Sequence, residues 1–418
     1  MGLLDSPTGA ARSTTSRLRS GVALLGPAFV AAIAYVDPGN VATNVAAGAT
    51  YGYLLVWVIV AANAMAFLVQ YLSAKLGLVT GRSLPEALRE RLPRAARLGY
   101  WAQAELVAMA TDLAEVLGGA IALRILFDVP LLLGGVITGV VSLGLLAMQN
   151  RYGQRPFERA ITGLLGVIAL GFMAGLVVEP PSASGALGGL APRFAGTESV
   201  LLAAGMLGAT VMPHAVYVHS ALARDRHGRR RGPLLQRLLD ANKVDVGAAM
   251  LLAGAVNLAI LLLAASALQG SETGESLEGA HAAVSANLGP AVGLLFAVGL
   301  LASGLSSTAV GCYAGAVVMD GLLRRRIPLF ARRLITLLPA LAVLALGLDP
   351  TRALVLSQVV LSFGIPFALV PLVVLTARRD VMGRHVNGRG VTAAAVAVAA
   401  AVVALNVALV YLTATGQS

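Results

Sequence analysis

The chain is predicted to be an all-α polytopic membrane protein, and three observations carry that prediction. Of its 418 residues, 57% are hydrophobic and only 12% are Asp, Glu, Lys or Arg, about half the charged share of a soluble domain. The mean hydropathy is +0.81. Apolar stretches near the roughly 20 residues that a helix needs to cross a bilayer recur along the whole length. A soluble fold of this size needs far more polar surface. A disordered chain needs low hydrophobicity and high charge. Both classes are excluded.

The apolar runs fall at 21–46, 53–78, 100–127, 130–149, 157–178, 199–223, 240–269, 288–322, 333–348, 353–376 and 390–414, which predicts eleven transmembrane helices. The first run is too long for a cleavable signal peptide, contains Asp37 and lacks a clear small-residue cleavage site followed by a soluble domain. Residues 1–20 then form an amino-terminal tail. With that tail inside and alternating spans, every Lys and Arg except Arg124, Arg193 and Arg352 lies in an inside segment or the adjoining helix end. The outside loops carry Glu179, Glu198, Glu272, Glu275 and Glu278. This is a strong positive-inside pattern, which predicts a multi-pass protein of the cytoplasmic (inner) membrane with its amino terminus cytoplasmic and its carboxyl terminus outside. The same placement explains the net charge of +11 without nucleic acid as a partner. The clusters Arg229–Arg231 and Arg324–Arg326 set topology, and they also suit anionic lipid headgroups. Cys312 is read as a buried, inert thiol with no disulfide partner. Gly304, Gly311 and Gly315 in span 8 predict close helix packing.

Spans 1 and 6 each carry a proline near the middle of the run, in Ala34-Tyr35-Val36-Asp37-Pro38-Gly39-Asn40 and in Ala209-Thr210-Val211-Met212-Pro213-His214. Proline removes a backbone hydrogen bond and clashes with the preceding turn. Lipid cannot satisfy the freed carbonyls, so such a break belongs against protein or a cavity. Spans 1 and 6 are the first members of two five-helix halves, 21–178 and 199–376, with 390–414 as an extra helix. Because five is odd, the second half enters the membrane from the opposite side. Paired broken helices in an inverted repeat point to a midplane transport site.

The side chains at the breaks define its chemistry. Asp37 is a carboxylate in mid-membrane and requires a cation or a proton, since its burial alone costs roughly 2.5 kcal/mol or more. Asn40 offers an amide oxygen, Met212 a thioether, and unwound backbone, with Ala34 and Ala209 as candidates, offers carbonyls. Oxygen alone suits Mg²⁺ or Ca²⁺. A soft sulfur favours transition metals.

Asp37-Pro38-Gly39-Asn40 and Met212-Pro213-His214 together resemble the two signatures of the Nramp family, and the resemblance extends over nearly the whole chain. It implies a LeuT-like fold with a 5+5 inverted repeat and the eleven-span layout of bacterial members. It also implies proton-coupled import of manganese and iron. The implied metal ligands are the side chains of Asp37, Asn40 and Met212, with the carbonyl of Ala34 or Ala209 according to conformation. The magnesium and aluminium branches lack this methionine, so Met212 implies the manganese/iron type.

Span 3 holds Glu105, Asp112 and Glu115, broadly along one side of a helix and about 15 Å from first to last at 1.5 Å per residue. Three acids in one membrane helix need partners. Arg332 and Arg333 at the start of span 9 are candidates, and His214 can join them. One reading is a buried salt-bridge network that ties span 3 to span 9. The family resemblance implies a proton pathway through Asp112, Glu115, His214 and Arg333, with Glu105 and Arg332 further towards the cytoplasm. The two readings are compatible. Asn63, Gln70, Thr111, Asn257 and Gln358 are further polar residues in apolar spans, which line a permeation route or make interhelical hydrogen bonds.

The expected activity is a secondary transporter that imports Mn²⁺, and Fe²⁺ with it, together with H⁺ by alternating access. The chain is expected not to be an enzyme and to hold no resident cofactor or obligate protein partner. Its partners are divalent metal ions, protons and membrane lipids. One rival is a sodium-coupled symporter of an organic solute on the same fold, which has no need for Met212. The other is a membrane-embedded metalloenzyme, which fits ligands on symmetry-related breaks less well.

Overall fold

The computed structural model describes residues 26–270, 276–325 and 327–415. The amino-terminal tail 1–20, the first residues of span 1, Glu272, Glu275 and Arg326 lie outside the described residues. Those that are described form helices and connecting turns, with no strand among them.

Span 1 is split into α1 (Pro27–Ile33), a 3₁₀ turn (Ala34–Val36) and α2 (Pro38–Tyr51). Then follow α3 (Val56–Thr80), the short α4 (Leu84–Arg89), α5 (Arg94–Phe127), α6 (Leu131–Tyr152), α7 (Gln154–Val178) and the short α8 (Ala183–Gly188). Span 6 is split into α9 (Thr197–Thr210) and α10 (Pro213–His227). After it come α11 (Gly232–Ala267), α12 (Leu277–Leu288), α13 (Pro290–Leu323), α14 (Leu329–Ala345), α15 (Pro350–Thr376), the one-turn α16 (Arg379–Met382) and α17 (Arg389–Ala414).

Nine segments among the described residues are long and apolar enough to cross a membrane, with α9 and α10 counted as one. The other two expected spans fall short of that measure for different reasons. Span 1 is divided by its break. Span 9 is α14, only 17 residues long, with Arg332 and Arg333 near its start. The sequence expectation of eleven therefore includes one divided span and one short, charged one.

Two helices begin six or more residues before their apolar runs. α11 starts at Gly232, not near 240, because Leu235, Leu238 and Leu239 pack with Ala74 and Leu78 of α3 and Ala223 of α10 while the intervening charges stay outside. α5 starts at Arg94, with Pro93 preceding its first turn.

The core is built around α13, which packs along α5 and α7, and around α11, which packs on α2 and α3. Small residues permit this closeness, as span 8 predicts. A Cβ at Gly304 would stand 2.8 Å from the Gly119 nitrogen and 3.0 Å from the Glu115 carbonyl. Phe172 of α7 and Phe296 of α13 meet edge to face with centroids 5.2 Å apart, a favoured aromatic arrangement. Cys312 is buried in α13. On the outside of the bundle, Leu106, Leu170, Val177 and Leu251 are exposed, as a lipid-facing surface requires.

Candidate metal centre

The two prolines start new helices. Asp37 has an extended backbone (φ −72°, ψ 167°) and serves as the N-cap of α2, with Pro38 in its first turn. Met212 (φ −69°, ψ 125°) is the N-cap of α10, and Pro213 follows in the same role. Proline suits this position because its missing N–H would have no intrahelical partner there. Each span therefore stops, runs extended for a residue or two, and starts again.

This puts opposite partial charges at one place. The amino ends of α2 and α10 present free N–H groups, whereas the carboxyl end of α9 presents free carbonyls. The amino end of α2 stabilises the Asp37 carboxylate directly, since the Asn40 backbone N–H donates to Asp37 Oδ1 at 2.8 Å. The Asn40 side chain closes the site. Its Nδ2 donates to Asp37 Oδ1 at 2.6 Å and to the Ala209 carbonyl at 2.8 Å. Thr210 Oγ1 lies 3.4 Å from Asn40 Oδ1. Asp37, Asn40 and Ala209 are thus joined across the two breaks. Met212 stands three residues beyond Ala209, fully buried in the same cluster as Ala34, Tyr35 and Val36.

Both hydrogen bonds from Asn40 fall on Oδ1, so Asp37 Oδ2 is buried with no partner. Such an orphaned carboxylate oxygen is costly unless a proton or cation takes it. Gln358 presses on the same break from α15, where a Cβ at Gly39 would collide with its amide. Its Oε1 is likewise buried and unpartnered. One carboxylate, two amides, a thioether and a main-chain carbonyl can hold a divalent ion of intermediate softness. Among the described residues there is no cluster of three or more His, Cys, Asp or Glu suited to a metal, so this mixed set is the candidate.

Two carbonyls at the first break have side-chain partners. Asn257 Nδ2 donates to the Tyr35 carbonyl at 2.6 Å, and Ser303 Oγ to that of Val36 at 2.6 Å. Asn44 Nδ2 in turn donates to Asn257 Oδ1 at 3.0 Å. Asn257 is therefore a brace for the unwound segment.

The span 3 acids meet span 9. Arg332 grips Glu105 with two nitrogens, at 2.8 and 3.1 Å. Arg333, almost wholly buried, is paired with Asp112. Glu115, one turn further on, is buried against Gly311, and neither carboxylate oxygen has a hydrogen-bond partner. His214 Nδ1 lies 3.4 Å from Thr111 Oγ1, which links α10 to α5 beside this network, and His214 Nε2 is buried and unpartnered. Asn63 stands apart, half-buried against Gly254 of α11.

Sequence reasoning singled out Gln70 but missed its partners. Gln70 Oε1 meets His219 Nδ1 at 2.7 Å, and its Nε2 donates to the Tyr35 hydroxyl. His219 could have been found by the argument used for His214, an ionisable group inside a membrane span. Asp245 was also missed. Its two carboxylate oxygens accept from the backbone N–H groups of Gly26 (3.0 Å) and Ala28 (3.1 Å), capping α1 from another helix. Beside it Glu158 pairs with Arg226. No local pattern in the sequence joins the partners in these contacts, which are 68 or more positions apart.

A helical bundle whose broken spans 1 and 6 meet at a buried carboxylate is the architecture of a secondary transporter. The Nramp model, described as natural resistance-associated macrophage protein-like, matches residues 28–412. The chain is 65% identical over 407 residues to a divalent metal cation transporter MntH of Mycobacterium tuberculosis, covering 97% of this chain and 95% of that one. It is 50% identical to the MntH of Deinococcus radiodurans, over 92% and 89% of the two chains. A crystal structure of a manganese transporter from Eremococcus coleocola superposes with a TM-score of 0.84 at 32% identity, covering 96% of this chain and 88% of that chain. Mhp1, a nucleobase-cation-symport-1 family transporter, superposes with a TM-score of 0.63 at 17% identity over 91% and 88%, a likeness of fold alone. The chain belongs to the Nramp family.

Proposed function

We propose that this protein is a divalent metal cation transporter and not an enzyme, that it imports Mn²⁺ and also Fe²⁺ across the cytoplasmic membrane, and that it couples import to protons by alternating access. The relatives' names support the metal. The observation that carries the site is the orphaned Asp37 Oδ2 beside the Asn40–Ala209 contact, at the junction of two helix breaks. The ion takes Asp37 through its carboxylate and Met212 through its sulfur. The Asn40 amide turns to present its oxygen in place of its NH₂ group. The Ala209 carbonyl is then released from Asn40 and free to bind the ion, and the Ala34 carbonyl is its counterpart in the first break. The two halves, 21–178 and 199–376, act as the inverted repeat that moves around this site, with the amino terminus cytoplasmic and the carboxyl terminus outside.

Protons take the other side of Asp37. An arriving divalent charge favours loss of a proton from that carboxylate. Asp112, Glu115, His214 and Arg333, followed by Glu105 and Arg332, form the proposed relay. Gln70, Thr111, Asn257 and Gln358 line or brace the route, and Asn63 serves at its margin.

The test is uptake into proteoliposomes holding a Mn²⁺-sensitive dye. An inward proton gradient is expected to accelerate Mn²⁺ entry, Fe²⁺ to compete, and Na⁺ to have no effect. Sodium-dependent uptake of an organic solute, without Mn²⁺ entry, would favour the symporter reading.

A further inference from the structure

The arginine-rich end of α5 carries a feature that the transport site does not use. A groove of about 610 Å³ runs between the first turns of α5 and the end of α13. Among the described residues its charged lining is Arg94, Arg97 and Arg325, with no carboxylate. Among the described residues none of the three arginines has an ion-pair partner, unlike Arg82, Arg91, Arg224 and Arg332. The rest of the groove is apolar, with Leu98, Trp101 and Leu322 prominent.

Two buried donors are unsatisfied there, Arg97 Nε and the Trp101 indole Nε1. Buried N–H groups ordinarily have a partner. α5 has 34 residues, a length of about 51 Å at 1.5 Å per residue, against a hydrocarbon core of about 30 Å. Its first two turns therefore stand at the membrane–water interface, where tryptophan is favoured.

We infer that this groove binds one anionic phospholipid, its phosphate held by Arg94, Arg97 and Arg325 and an acyl chain lying along Leu98, Trp101 and Leu322. A lipid meets both demands of the groove. It brings a phosphate with several acceptor oxygens to three cationic forks and the indole N–H, and it covers apolar surface that a free anion would leave bare. The inference rests on this geometry and is independent of the metal reading.

Trp101 is a built-in reporter. The other tryptophan is Trp57, whose indole donates to the Arg193 carbonyl elsewhere in the bundle. The test uses the full chain carrying Trp57→Phe in vesicles of phosphatidylcholine, with a small share of either brominated phosphatidylglycerol or brominated phosphatidylcholine. The anionic lipid is expected to quench Trp101 at least about threefold more strongly at equal mole fraction. The triple change Arg94→Gln, Arg97→Gln, Arg325→Gln should abolish that preference, and the corresponding three lysine substitutions should restore most of it. Arg229→Gln, Arg230→Gln and Arg231→Gln together should leave it intact, which separates the groove from the general charge of this face. Equal quenching by both lipids would overturn the inference, as would a preference that survives the glutamine variant. Loss of the preference on adding millimolar inorganic phosphate at constant ionic strength would also overturn it, by showing a site for free anions.

Discussion

Asp37 and Asp112 are both buried in this bundle, yet their surroundings are electrostatic opposites. Asp112 is paired with Arg333, and one turn and more away Glu105 is gripped by Arg332. Among the described residues, Asp37 has two donors from a single asparagine on one oxygen, no hydrogen-bond partner on the other, and no ion-pair partner. A buried carboxylate with an arginine is already neutralised, and a divalent cation approaching it meets the guanidinium first. A buried carboxylate without one draws in a cation or a proton. On the proposed reading, the difference separates a place for the metal ion, at Asp37, from a place for protons, at Asp112.

The largest effect is expected at the unpaired member. Asp37→Ala removes the one formal charge among the proposed ligands and should reduce Mn²⁺ uptake about 100-fold or more, which corresponds to about 2.7 kcal/mol. Protein yield and elution profile should be unchanged, because the substitution also removes the orphaned oxygen. Wild-type uptake by the variant would place the metal elsewhere.

Selectivity sharpens the same contrast. Met212→Ala leaves an all-oxygen set, which hard ions tolerate and soft ions do not. Cd²⁺ affinity should fall by about tenfold, Mn²⁺ by less, and Ca²⁺ should become a better competitor. Calorimetric titration of the purified variant with each ion reads this directly, and an unchanged Cd²⁺-to-Ca²⁺ preference would remove sulfur from the ligand set.

The smallest effect is expected at a charge pair outside the spans. Glu86 of α4 closes a capping box with Ser83 and also pairs with Arg224. Partial burial pushes its carboxyl up, but the Ser83 backbone N–H and the Arg224 guanidinium outweigh that and hold it below the usual carboxylate range. A group depressed on folding adds stability above its unfolded value, and that contribution disappears as pH falls through the folded value. Glu86→Gln should therefore lower the melting temperature by a few degrees at most near neutral pH, and the gap should close in acid. A gap that widens in acid would reverse the assignment.

Much of this contrast was legible in the sequence. Ions and polar groups stand out against an apolar background, so Asp37, Asn40, the span 3 acids and the two arginines could be picked out singly. The prolines at 38 and 213 marked the breaks, although as helix starters and not as mid-helix kinks. What stayed hidden was partnership. That Asn257 and Ser303 would take the Tyr35 and Val36 carbonyls, or that Asp245 would cap α1, depends on which helices touch. Those contacts join residues more than 200 positions apart, and hydropathy carries no information about them. α14 shows a related limit. Its two arginines make it look poorly suited to a membrane until their carboxylates on α5 are known.

The proposed division between metal and proton routes is tested most directly at Asp112. Asp112→Asn keeps the size of the side chain and its ability to hydrogen-bond Arg333, but cannot carry a proton. Internal pH and Mn²⁺ should be recorded together in the same proteoliposomes at a clamped voltage. Voltage alone favours entry of a divalent ion by roughly 4.6 kcal/mol per 100 mV, so metal entry can continue without proton flow. The variant should retain most of its Mn²⁺ flux while acidification is largely lost. Equal loss of both fluxes, or wild-type acidification, would contradict it.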